Sequence, residues 1–252
     1  MSNNIKADLA LFNELVTDFL EEETENPVAK YISPTRLSKE LDIRLDSEGT
    51  AESELKNSLK ELLLRSTKSS SKMFFNQLFG GRHSKAVLGD LLAVMLNNSM
   101  ATYKIAGPQV AVEKEILSQV YNLIGYKNNS GGTFPTGGSM SNFMSLVMAR
   151  DRVSLDIREK GVSKKLIAYT SENAHYSLSK NASFTGIGRG NIRYIKSDEY
   201  GRINVLEFEK QVQNDLLNGF IPFYLNATAG TTVLCAFDDI KALAPICKKH
   251  NI

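Results

Sequence analysis

Apolar residues recur at helical spacing from the start of the chain. Ile5, Leu9, Phe12, Val16, Phe19 and Leu20 predict an amphipathic helix over roughly 5–22. Pro27 and Pro34 interrupt the stretch that follows. Thr50 is placed to cap a second helix whose inner face carries Leu55, Leu59, Leu62 and Leu63. A polar break, STKSSSK, follows at 66–72. Residues 1–70 therefore read as a helical N-terminal segment. Its two apolar stripes are too little to make a stable domain alone, so the segment either packs on other protein surface or is a plain extension.

Beyond residue 73 the pattern changes. Lys85–Ser99 is apolar and helical in spacing, and Pro108 opens another helix running to Gly125. A glycine-rich stretch, SGGTFPTGGSMSN, then leads directly into the apolar run FMSLVMARDRV. After it, short runs expected to be buried strands alternate with helices. The strands are 165–170 (KLIAYT), 191–195 (NIRYI) and 221–226 (IPFYLN). Between the last two lies a helix over 204–218, with Asn204 as its cap and Gly219 just past its end. A final helix follows Asp238, with Ile240, Leu243 and Cys247 on one face and Pro245 arguing for a late start or a kink. Alternating strands and helices imply an α/β layered domain with mainly parallel strands over 71–252.

The 252 residues are 42% hydrophobic, enough for one large core or a core with an appendage. The net charge of +2 and the absence of a Lys/Arg run give no sign of a nucleic-acid surface. Cys235 and Cys247 form no CxxC pair and suit a reducing compartment. Met1 to Leu11 carries Lys6 and Asp8 and reads as neither a signal peptide nor a membrane span. A soluble cytoplasmic protein is expected, with no nucleic-acid or membrane partner and no metal.

Four segments carry candidate chemistry. Gly137-Gly138-Ser139-Met140-Ser141-Asn142 opens a helix, where glycines admit an anion and free N–H groups point at it. It matches neither the P-loop nor GxGxxG, and by itself it can equally be a turn that caps a helix. Thr170 to Tyr176 (TSENAHY) follows a strand and puts His175 where ligands gather in open α/β sheets. Asn226 to Thr232 (NATAGTT) ends another strand, small and polar like the rim of a site or a simple tight loop. Phe74 to Gly81 (FFNQLFGG) is an aromatic run with one polar exception, Gln77, whose amide can meet a carboxylate.

In this order, FFNQLF (74–79), TYKIAG (102–107), FPTGGSMSNFMSLVMAR (134–150), YTSENAHYSLSK (169–180) and FYLNATAGTTVLCAFDDI (223–240) resemble the group II pyridoxal-phosphate decarboxylases. That family includes the glutamate, cysteine-sulfinate, aspartate and aromatic amino-acid decarboxylases. The resemblance is dense over 70–252 and loose before it. It implies the large domain of a fold-type-I, aspartate-aminotransferase-like enzyme binding pyridoxal 5'-phosphate. It also implies a homodimer whose N-terminal helices wrap the partner subunit. Carried over by motif, Gly138, Ser139 and Ser141 hold the cofactor phosphate, His175 stacks over its ring, and Thr228 lies beside it. Gln77 and Phe79 contact the substrate. The aromatic Phe79 stands where animal-type glutamate decarboxylases have Ser. A ring there favours aspartate or cysteine sulfinate over the longer glutamate.

Two residues of the family mechanism have no match in 1–252: the Asp that keeps the pyridine nitrogen protonated and the Schiff-base Lys. The small C-terminal domain has none either. The sequence thus reads as the N-terminal half of such an enzyme, expected to be inactive alone. The competing reading is a non-catalytic chain that associates with an intact decarboxylase.

Overall fold

The computed structural model describes residues 4–41, 47–126 and 130–252, so Met1 to Asn3 of the N-terminal segment lie outside the described residues. The chain forms two compact units, Met1–Asn97 and Asn98–Ile252. The 70/71 boundary read from the polar break at 66–72 is a different division.

The first unit holds α1 (Ile5–Glu25), α2 (Pro34–Glu40), α3 (Glu52–Arg65) and α4 (Ser84–Leu96). Pro34 does not interrupt structure; it opens α2. Its missing N–H falls where a helix has no intrahelical acceptor anyway, and the Ser33 side chain accepts from Arg36 N. Thr50 is not the cap of α3. The cap position is Ala51, with no side-chain bond, so the threonine lies one residue too early. α1 and α3 are tied by Lys56 to Glu14 at 2.6 Å and Lys60 to Asp18 at 2.7 Å. Leu15 is buried, but Leu55 and Leu62 stay exposed at 45% and 50%, so the apolar stripe of α3 is only partly covered. On α4, Val87, Leu88, Leu91, Leu92, Val94 and Met95 are all exposed.

The second unit begins with α5 (Tyr103–Ala106) and α6 (Pro108–Ile124), which ends as expected on Gly125 in the left-handed region. Then come α7 (Gly138–Val153), α8 (Ile157–Lys160), β1 (Leu166–Ser171), α9 (Ser177–Phe184), β2 (Ile192–Ile195), α10 (Val205–Leu217), β3 (Ile221–Asn226) and α11 (Ile240–His250). The three strands form one parallel sheet in the order β2-β1-β3. All of β1 is buried, and its side chains alternate between two cores. Leu166 and Ala168 pack with Leu146 of α7 and Leu178 and Ala182 of α9. Ile167 and Tyr169 pack on the opposite face with Phe208 and Val212 of α10 and Leu243 of α11. The Tyr169 hydroxyl is buried there and donates to Asp215 at 3.0 Å, which also takes Arg193 Nε at 3.0 Å. The α/β parallel architecture read from the sequence is the one observed.

Pro222 has no N–H for the ladder, and the pairing of β1 with β3 shifts register beside it, between Ile167 and Ala168. Asn204 caps α10 by accepting from Leu206 N and Glu207 N. Pro245 neither delays nor splits the last helix. α11 runs unbroken from Ile240 with Asp239 as its cap, and Pro245 sits inside it. An exposed residue in an 11-residue helix can lose one internal bond and leave its carbonyl to water.

Candidate functional site

The sheet has a switch point. The helix after β1, α9, lies on one face, and the helix after β3, α11, lies on the other. β1 and β3 are neighbours, with Thr170 opposite Asn226 at their C-terminal ends. Open α/β sheets bind ligands in the crevice that such a divergence creates. Asn226 Nδ2 donates to Thr170 Oγ1 at 3.2 Å across that pair. His175 follows β1 by a few residues and Thr228 follows β3 by two, so both lie at this edge of the sheet.

α7 begins at the same place. Gly137 has φ 95° and ψ 165°, a conformation reserved for glycine, and Gly138 starts the helix. No side chain among the described residues caps this terminus. Gly138 N and Ser139 N have no partner among the described residues, whereas Met140 N and Ser141 N turn back to Gly137 O. Nothing stands within 4 Å of a Cβ built on either glycine, so the approach is open. Ser139 and Ser141 are exposed; the Ser141 hydroxyl reaches Gly137 O only at 3.5 Å. Two unpartnered N–H groups, the positive end of a 16-residue helix and two hydroxyls fit a phosphoryl group.

The cradle and the His175 turn are joined. Asn142 Nδ2 donates to Ser177 Oγ at 2.8 Å, and Ser177 N donates to His175 Nδ1 at 3.2 Å. Asn181 Nδ2 donates to Ser139 O at 3.1 Å. The His175 ring lies 4.2 Å from that of Tyr176, which Lys180 Nζ covers at 4.4 Å. At the end of β1, Glu172 Oε1 accepts from Ser197 N at 2.9 Å and Asn173 Nδ2 donates to Ser197 Oγ at 2.7 Å, fixing this loop to β2.

Thr228 is held through its backbone. Its N–H donates to Asp238 Oδ2 at 2.7 Å, and its carbonyl accepts from Asp238 N at 2.9 Å. The other carboxylate oxygen of Asp238 accepts from Ile203 N at 2.7 Å. Asp238 is buried, so one carboxylate fixes two loops.

Gly138, Ser139, Ser141, His175 and Thr228 thus share the second unit and one edge of its sheet. Gln77 and Phe79 belong to the first unit, where both are exposed and Phe79 packs edge-on against Phe74 at 5.6 Å. A groove of about 360 Å³ lies elsewhere, between α7 and α11 along β3; Val153, Phe223, Leu225 and Leu243 line it, and none of the candidate residues does. Sequence reasoning missed Asn142, Ser177, Asn181 and Asp238. Asn142, Ser177 and Asp238 lie inside quoted motifs, and Asn181 one residue past the end of one, as polar residues that the structure buries or half-buries.

The pyridoxal-dependent decarboxylase conserved domain matches residues 34–252. The chain belongs to this family. Among its relatives, the acidic amino acid decarboxylase GADL1 of Xenopus tropicalis is 35% identical over 244 residues, which are 96% of this chain and 47% of that protein. Mouse cysteine sulfinic acid decarboxylase is 35% identical over 227 residues, 89% of this chain and 46% of that protein. The crystal structure of mouse CSAD superposes with a TM-score of 0.95 at 34% identity, covering 98% of this chain and 54% of that one. The chain therefore spans about half the length of the curated relatives it matches. Tryptophan decarboxylase of Catharanthus roseus, at 21% identity and a TM-score of 0.89, shares the fold. The fold is that of the fold-type-I pyridoxal-phosphate decarboxylases, as the motifs implied, and the family cofactor is pyridoxal 5'-phosphate. Members of this decarboxylase family are carboxy-lyases. Among the described residues no helix is long and apolar enough to cross a membrane, and no His/Cys/Asp/Glu group suits a metal ion.

Proposed function

We propose that this chain supplies the phosphate-binding part of a pyridoxal-phosphate-dependent decarboxylase acting on an acidic amino acid. The observation that carries the reading is the uncapped start of α7, with two unpartnered N–H groups and open space before them, bonded through Asn142 and Ser177 to the turn of His175. Gly138, Ser139 and Ser141 hold the phosphoryl group, the His175 imidazole stacks on the ring, and Thr228 borders it. The bound cofactor supplies a sink for the electron pair left when the substrate carboxylate departs. The chain's own residues anchor and orient that ring. Asp238 holds the Thr228 loop through its backbone.

Gln77 and Phe79 are proposed as substrate contacts on the NQLF motif alone. The ring of Phe79 favours aspartate or cysteine sulfinate over glutamate, a difference of one methylene worth about 1–3 kcal/mol. The relatives named for acidic amino acids and cysteine sulfinic acid support that class of substrate. A cytoplasmic homodimer is the proposed assembly, and the exposed apolar residues of α3 and α4 support an association surface. The same surface favours the second reading, a non-catalytic chain that pairs with an intact decarboxylase.

Titration of the purified chain with pyridoxal 5'-phosphate tests the cradle. Saturable binding that inorganic phosphate displaces and Ser139→Asp abolishes is expected, because a carboxylate there repels the phosphoryl group. Equal binding by Ser139→Asp contradicts the assignment. Carbon dioxide release from aspartate, cysteine sulfinate and glutamate by the whole protein tests the substrate; glutamate as clearly the best of the three contradicts the role of Phe79.

A further inference from the structure

We propose that Asn142 and Ser177 are positioning residues that hold His175 as the neutral tautomer with its proton on Nε2, locked to the helix that forms the phosphate cradle. The proposal rests on the functional reading above for its consequence, but its geometry stands apart from it.

The first N–H groups of a helix have no intrahelical acceptor. At the start of α9 the Ser177 N–H finds one in the imidazole of His175, at 3.2 Å on Nδ1. A ring nitrogen that accepts a hydrogen bond carries its lone pair there, so in the neutral ring the proton sits on the other nitrogen. Nε2 has no partner among the described residues, so it is the polar atom of the side chain that His175 has left to offer a ligand.

Ser177 is itself fixed. It is fully buried, and its hydroxyl oxygen accepts from Asn142 Nδ2 at 2.8 Å. Asn142 lies in the first turns of α7, a few residues beyond Gly138 and Ser139. One turn further along α9, buried Asn181 donates to Ser139 O at 3.1 Å. Two amide side chains therefore hold the starts of α7 and α9 in one register. Movement of the cradle is passed to the backbone N–H that sets the tautomer and tilt of His175. The ring also lies 4.2 Å from that of Tyr176, itself covered by the Lys180 ammonium. A merely structural role for this contact would steady both helices without affecting which ring nitrogen is protonated.

Ring-nitrogen NMR on the chain with 15N-labelled histidine, at about pH 8 where an ordinary imidazole is neutral, reads the tautomer directly. The expected result is a predominant Nε2–H tautomer for His175; Ser177→Ala and Asn142→Ala keep the Ser177 backbone N–H but lose the side-chain bond that fixes its position, so both should show a larger Nδ1–H fraction. Asn142 is only partly buried, so its variant keeps the test valid if Ser177→Ala unfolds. Loss of one hydrogen bond should weaken pyridoxal 5'-phosphate binding by about 3- to 10-fold. Inorganic phosphate, which touches the cradle and not the ring, should bind within about twofold of wild type if only the ring is released. Ser177→Thr keeps the hydroxyl and should restore the predominant Nε2–H tautomer.

An Nδ1–H tautomer in the wild-type chain, or equal weakening of both ligands in the variants, overturns the proposal. If the wild-type chain shows the Nε2–H tautomer yet binds neither ligand, the functional reading fails while the positioning of His175 stands.

Discussion

Replacing Asp238 by alanine removes a carboxylate that holds two loops at the edge of the sheet. Its oxygens accept from Thr228 N and Ile203 N, each at 2.7 Å. Hydrogen bonds to a charged acceptor contribute roughly 1.5–3 kcal/mol each. Ile203 is 2% exposed, so its freed N–H has no route to water and bears the full desolvation cost. Thr228 is half-buried, so water can partly replace its acceptor. The expected loss is therefore about 3–4 kcal/mol, a large part of the roughly 5–15 kcal/mol that keeps a domain folded. Asp238→Asn offers one acceptor oxygen and turns an NH2 group toward the second N–H. It should cost about 2–3 kcal/mol rather than behave as a conservative change. Urea unfolding followed by circular dichroism gives the stability, and amide hydrogen exchange at Ile203 and Thr228 shows whether those N–H groups opened. Stability within about 0.5 kcal/mol of wild type, with both amides still protected, would contradict this role of Asp238.

Other expectations follow from single sites. Gly137→Ala places a side chain at φ 95° and ψ 165° with open space around it, so backbone strain alone acts; about 1–3 kcal/mol is expected, read as a comparable loss of phosphate affinity. Burial raises the Asp151 carboxyl, but the guanidiniums of Arg150 and Arg158 outweigh it and hold the group below its usual range. A depressed carboxylate contributes stability that is complete above the unfolded value near pH ~4 and is lost as pH falls below it. Thermal unfolding of wild type and Asp151→Asn should therefore differ near neutrality and converge as the pH drops below that range. Burial also pushes the Cys247 thiol up, while Cys235 is exposed. A thiol reagent near neutral pH should label Cys235 well before Cys247, and mass spectrometry of the digested protein reports the order.

The parts of the fold most legible in the sequence are those written in periodicity. β3 falls where its apolar run predicts, and β1 lies one residue later than read, because Lys165 belongs to the approach and Ser171 to the strand. Asn204, Gly125 and Gly219 announce helix ends through side-chain acceptors or positive φ, both local properties. The prolines are less transparent, because the same residue opens α2 at its first turn and is tolerated inside α11, depending on which carbonyls can reach solvent. The cradle was visible as glycines before a helix. Its connection to His175 was not, since the Asn142–Ser177 bond joins residues 35 apart and leaves no periodic trace. Asp238 was equally hidden: nothing in AFDDI distinguishes a carboxylate turned inward to cap two loops from one facing water.

A crystal structure of the chain grown with pyridoxal 5'-phosphate would show whether the start of α7 holds the cofactor's phosphoryl group beside His175. Phosphoryl oxygens are expected within hydrogen-bond reach of Gly138 N and Ser139 N, with the pyridine ring against the imidazole. A phosphoryl group seated anywhere else, or a ring out of contact with His175, would contradict that placement.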